Sequence, residues 1–147
     1  MGRKWSVFSL IIFLAFFWQG CADKSEEINK LIEDLSTSNM QLVEKSSARL
    51  VEIGKPAVPY LILSIKDENA NKRKNIAFVL GRIGDGRAVE HLVDLLNDGD
   101  YNVRDAAAWA LGEIGDKDML PVLKKALETE KNKKVKKYLE EAIKKLE

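Results

Sequence analysis

Two residue types in this 147-residue chain could do nucleophilic or metal chemistry, and each occurs once, as Cys21 and His91. One histidine and one cysteine cannot assemble a multi-histidine site or a zinc-finger type of site, which needs three or four such ligands. Carboxylates are abundant, but none stands apart from a solvated helix face. This inventory predicts no metal, no cofactor and no catalytic residue, and the chain reads as a non-enzyme.

Cys21 has another use. Arg3 and Lys4 open the chain, and Trp5 to Trp18 is an uncharged, mostly apolar run of 14 residues that ends just before Gly20-Cys21. A membrane span needs about 20 apolar residues, so the run suits the hydrophobic region of a signal peptide better. The layout resembles a prokaryotic lipoprotein signal, which implies that Cys21 is the lipidated first residue of the mature chain. Gly20 matches that pattern, whereas Trp18 and Gln19 depart from it; an ordinary signal peptide and an uncleaved anchor are the alternatives. The expected division is a signal peptide over 1–20, a lipidated cysteine and tether over 21–24, and a folded domain over 25–147. Ala22 after the cysteine leans, by analogy, towards the outer membrane. A lone cysteine forms no intramolecular disulfide, so packing alone holds the domain.

A composition of 46% hydrophobic and 32% charged residues is globular, and a net charge of +1 does not suit a general nucleic-acid binder. The basic run Lys131, Lys133, Lys134, Lys136 and Lys137 reads as a solvated helix start.

The elements that position any site repeat. Leu50-Val51-Glu52-Ile53-Gly54-Lys55 recurs as Leu80-Gly81-Arg82-Ile83-Gly84-Asp85 and as Leu111-Gly112-Glu113-Ile114-Gly115-Asp116, at spacings of 30 and 31 residues. A period of that size marks stacked helical units, each burying its apolar face only against its neighbours. Apolar residues recur at helical spacing throughout: Ile28, Leu31, Ile32 and Leu35; Leu42, Val43, Leu50 and Ile53; Val58, Leu61, Ile62 and Ile65 in a helix from Pro56 to Lys66. Asn39, Asn69, Asp100 and Asn132 align as N-caps of the second helices, and Gly54, Gly84 and Gly115 as left-handed C-caps. Gly81 and Gly112 fall inside helices and mark close helix approach. Four helix pairs follow, at 25–54, 56–84, 86–115 and 117–147.

Asp100-Tyr101-Asn102-Val103-Arg104-Asp105-Ala106-Ala107-Ala108-Trp109-Ala110-Leu111-Gly112-Glu113-Ile114-Gly115-Asp116 is similar to the HEAT repeats of the phycobilisome-lyase type. The resemblance implies an all-α, right-handed solenoid of the armadillo type. HEAT-repeat iron hydroxylases carry several His-Glu dipeptides, whereas this chain has only the reversed Glu90-His91; His91 aligns with Tyr60 and Val122 and reads as a packing or surface position.

The resemblance also implies that second helices line the concave side. Their outward positions are Glu44, Ala48 and Glu52; Lys74, Phe78 and Arg82; Tyr101, Asp105, Trp109 and Glu113; Lys137, Glu141 and Lys145. Phe78 and Trp109 should then form one aromatic patch rimmed by Lys74, Arg82, Asp105 and Glu113, as in a protein-binding site. Packing of both rings onto neighbouring helices is the alternative. The functional expectation is a non-catalytic scaffold or assembly module of the cell envelope, anchored through Cys21, with an unidentified protein partner and no nucleic acid. A bilin-lyase-like accessory or enzyme, a self-associating module and a phosphate-binding lysine run are the competing readings.

Overall fold

The computed structural model describes residues 24–147; the expected signal peptide, Cys21 and most of the tether lie outside the described residues. Among the described residues eight α-helices follow one another. The first helices of each pair are α1 (24–34), α3 (Val58–Ser64), α5 (Val89–Leu95) and α7 (Leu120–Thr129). The second helices are α2 (Met40–Ile53), α4 (Ala70–Ile83), α6 (Tyr101–Ile114) and α8 (Lys133–Leu146), each of 14 residues.

Each second helix begins where an Asn or Asp side chain can accept from exposed backbone N–H groups. Asn39 accepts from Leu42, Asn69 from Asn71 and Lys72, Asp100 from Asn102, and Asn132 from Lys134 and Val135. The N–H of Asn39, Asn69, Asp100 and Asn132 in turn goes to the side chain two residues earlier: Thr37, Asp67, Asp98 and Glu130. Gly84 and Gly115 end α4 and α6 in the left-handed helical region. Gly54 departs from that expectation: its φ of 69° is positive, but its ψ of −137° lies outside the left-handed helical well, so the chain leaves α2 in a different direction.

The helix expected from Pro56 to Lys66 is shorter. Lys55–Ala57 forms a 3-10 turn, and Gly86–Ala88 and Lys117–Met119 repeat it. In the first of these turns Pro56 fits because its missing N–H has no intrahelical partner to lose.

The second helices stack in order, α2 on α4, α4 on α6 and α6 on α8, while α3, α5 and α7 each pack against the second helix of their own pair. Leucine, isoleucine, valine and alanine form the core between the layers, including Leu50, Leu61, Leu80, Leu92, Leu111, Leu123 and Leu139. In α2 the buried face is Ser46, Ser47 and Leu50; Leu42, expected inside, is exposed. Small residues at Gly81 and Gly112 set the tightest approach. A Cβ on Gly81 would stand 2.7 Å from the Ala110 Cα and 2.9 Å from Trp109 Cζ3, and one on Gly112 would stand 3.0 Å from the Ala142 Cα.

A chain of ion pairs locks the inter-helix turns. The Arg73 guanidinium donates to the carbonyls of Asp67 and Glu68 in its own unit and to the Asp98 carboxylate in the next, at 2.8 and 2.9 Å. Arg104, one repeat on, donates to the carbonyls of Asp98 and Gly99 and to both oxygens of Glu130. The Arg104 guanidinium pulls the Glu130 carboxyl down to about 2, overriding the cost of burial.

Candidate functional site

Phe78 and Trp109 occupy the same register position on α4 and α6, and the stacking of those helices brings them together. Their rings stack with centroids 4.7 Å apart and an interplanar angle of 16°. Phe78 keeps 41% of its surface exposed, and Trp109 is half-buried, its ring edge lying over Gly81. The pair therefore packs and remains presented at once: each ring covers one face of the other, and Gly81 provides the seat that a side chain would fill.

Beside the pair lies a groove of about 230 Å3, lined by Lys74, Asn75, Phe78, Asp105, Ala106, Trp109 and Tyr138. Four of the residues predicted for the site, Lys74, Phe78, Asp105 and Trp109, thus meet there. Arg82 stands outside the lining, with its guanidinium 5.9 Å from the centre of the Phe78 ring, a cation–π contact. Glu113 lines a smaller groove on the other side of Trp109 and pairs with Lys145. Tyr101, 45% exposed at the start of α6, does not line the groove.

Asp105 differs from its expected outward place. It is only 7% exposed, and its Oδ2 meets the Lys134 ammonium at 2.5 Å with no other hydrogen-bond partner. The carboxylate holds that ammonium above the usual lysine range. The reason is the approach of α8, whose first turn covers the base of Asp105.

Tyr138, Asn75 and Lys134 were not predicted. Tyr138 stands six residues after the N-cap of α8, as Asn75 and Ala106 stand after the N-caps of α4 and α6, so the repeat register itself puts all three in the groove; Lys134 lies one turn before Tyr138 and 6.0 Å from its ring. Asn75 has a structural task as well, donating to the Leu35 carbonyl across the first inter-repeat junction. His91 is half-buried on α5, away from this face. Among the described residues no group of three or more His, Cys, Asp or Glu could hold a metal ion, and no helix is long and apolar enough to cross a membrane.

The profile of HEAT repeats matches residues 58–144. The chain belongs to the HEAT-repeat family. A search of curated proteins found no match. Among solved structures, the complex of CpcE and CpcF of phycocyanin lyase from Nostoc is similar at 28% identity and a TM-score of 0.72, over 83% of this chain and 79% of that one. Human deoxyhypusine hydroxylase is similar at 27% identity and a TM-score of 0.69, over 86% of this chain but 46% of the hydroxylase. An epoxyqueuosine reductase bound to a tRNA stem loop is 35% identical with a TM-score of 0.50, over 52% of this chain and 20% of the reductase. This HEAT-repeat chain thus spans about half of the hydroxylase and about a fifth of the reductase.

These neighbours overturn the expectation of a non-enzyme. The hydroxylase and the lyase are enzymes with a HEAT-like fold, so the chain has enzymatic relatives. The expectation rests on the lack of a self-contained thiol or metal site. A repeat array can serve an enzyme by holding a substrate or a second subunit, and that role leaves no such motif.

Proposed function

We propose that this HEAT-repeat protein uses the Phe78–Trp109 groove to hold a protein, as a substrate-binding or partner-binding component related to lyase subunits. The observation that carries this reading is the part-exposed aromatic stack beside a groove flanked by charged side chains. Aromatic anchors next to a cavity with a charged rim are what a protein interface requires, because they bury large area at low entropic cost. The likeness to CpcE and CpcF, two chains in one lyase complex, supports the enzyme-related part.

The test is site-specific photocrosslinking from position 78 in cells of the source organism, compared with crosslinking from Leu63 on the opposite layer. One protein captured at 78 and not at 63, and lost on Trp109→Ala while the circular dichroism spectrum holds, is expected. Equal capture from both positions sinks the reading.

The proposal extends to location. The apolar run before Gly20-Cys21 supports export and lipid anchoring of the array in the cell envelope. Metabolic labelling with an alkyne fatty acid should mark the wild type and not Cys21→Ser; unlabelled protein in the soluble fraction would exclude this part.

A further inference from the structure

We infer that the groove selects an extended acidic segment of its protein partner, with an aromatic side chain set between two carboxylates. This rests on the groove being the working surface and adds the chemistry of what it takes. Charge compensation is the starting observation. Both acids nearest the aromatic pair are already neutralised by lysines of α8, Asp105 by Lys134 and Glu113 by Lys145. On the facing side of α2, Glu52 is held by Arg49.

Among the described residues the two cations flanking Phe78 have no such partner: neither Lys74 nor Arg82 has a carboxylate within ion-pair distance, and Arg82 rests over the Phe78 ring. Glu44, one repeat away on α2, is an exposed acid at the register of Lys74 and forms no ion pair with it. The rim of the groove therefore offers uncompensated positive charge on both sides of an aromatic surface.

Spacing narrows the ligand. Lys74 and Arg82 are eight residues apart on α4, about 12 Å along the helix axis at 1.5 Å per residue. An extended chain places alternate side chains on one side, and residues four apart stand about 13 Å from one another. A segment of the pattern acid–x–aromatic–x–acid laid along α4 thus meets Lys74, the Phe78–Trp109 rings and Arg82 in register. The cavity beside the rings, about 230 Å3, admits one such aromatic side chain. A nucleic-acid backbone fits the face less well, since two uncompensated cations about 12 Å apart make only a short phosphate track.

Fluorescein-labelled peptides Ser-Glu-Ser-Phe-Ser-Glu-Ser and Ser-Lys-Ser-Phe-Ser-Lys-Ser, titrated with the full chain in detergent, test this by fluorescence polarisation. The acidic peptide should bind at least about tenfold more tightly, with the preference shrinking as salt is raised. Lys74→Glu with Arg82→Glu should reverse the ranking, and Lys74→Gln with Arg82→Gln should erase it; circular dichroism checks the fold of both. Equal binding of the two peptides, lost in Phe78→Ala, overturns the charge selection and leaves the groove as a protein-binding surface. Absence of binding by either peptide overturns the inference, as does a short single-stranded RNA that binds more tightly than the acidic peptide.

Discussion

Gly81 and Trp109 show how one missing side chain creates room for another. A methyl on Gly81 would meet the Ala110 backbone at 2.7 Å, and backbone cannot rotate away as a flexible side chain can. Gly81→Ala should therefore part α4 from α6 and cost about 2–3 kcal/mol in chemical denaturation, despite the better helix propensity of alanine. At Gly84 nothing obstructs a methyl but φ is +70°, so Gly84→Ala should cost only about 1 kcal/mol. The two aromatic rings should likewise separate: Phe78→Ala, at an exposed position, should lower stability by less than about 1 kcal/mol, and Trp109→Ala by about 2 kcal/mol or more. Equal losses at both positions would mean that the rings are simply core.

At the scale of helices and turns, the caps and the arginine chain do the ordering. Asp100→Ala removes the acceptor for Asn102 N–H and should cost about 1 kcal/mol by thermal denaturation. The arginine chain adds a dependence on pH. Arg104 holds the Glu130 carboxyl at about 2 against an ordinary 4.5, so the charged form is favoured in the folded state. The resulting stabilisation is complete above the unfolded value near 4.5 and is lost as pH falls through that window towards 2. In urea titrations the wild type should lose on the order of 2 kcal/mol across that range more than Glu130→Gln does. Parallel curves for the two proteins would show that the pair contributes nothing.

For the whole molecule, stability should follow the strength of stacking between neighbouring units. The α4–α6 junction is the most extensive, α6–α8 follows, and α2 meets α4 over much less, where Val51 stands at the register of Gly81 and Gly112. Amide exchange should therefore be slowest in α4 and α6 and fastest in α1 and α2. Uniform protection along the array would contradict a nearest-neighbour account. The groove sits on the best-packed junction, which keeps its aromatic walls rigid.

Periodicity in the chain determined the helical class, the pairing of helices, the four N-caps and the neighbour relation of Phe78 and Trp109, because each depends only on local spacing and repeat register. The arginine chain was also written there, in Arg73 and Arg104 with acids at 98 and 130, yet its partners are recognisable only once the turns are stacked. Tertiary structure alone decided two matters: that Asp105 is buried under Lys134, and that Leu42 faces solvent. Each depends on how far a neighbouring helix reaches over the position, which packing sets and spacing along the chain does not; Tyr138, by contrast, shares the repeat register of Asn75 and Ala106.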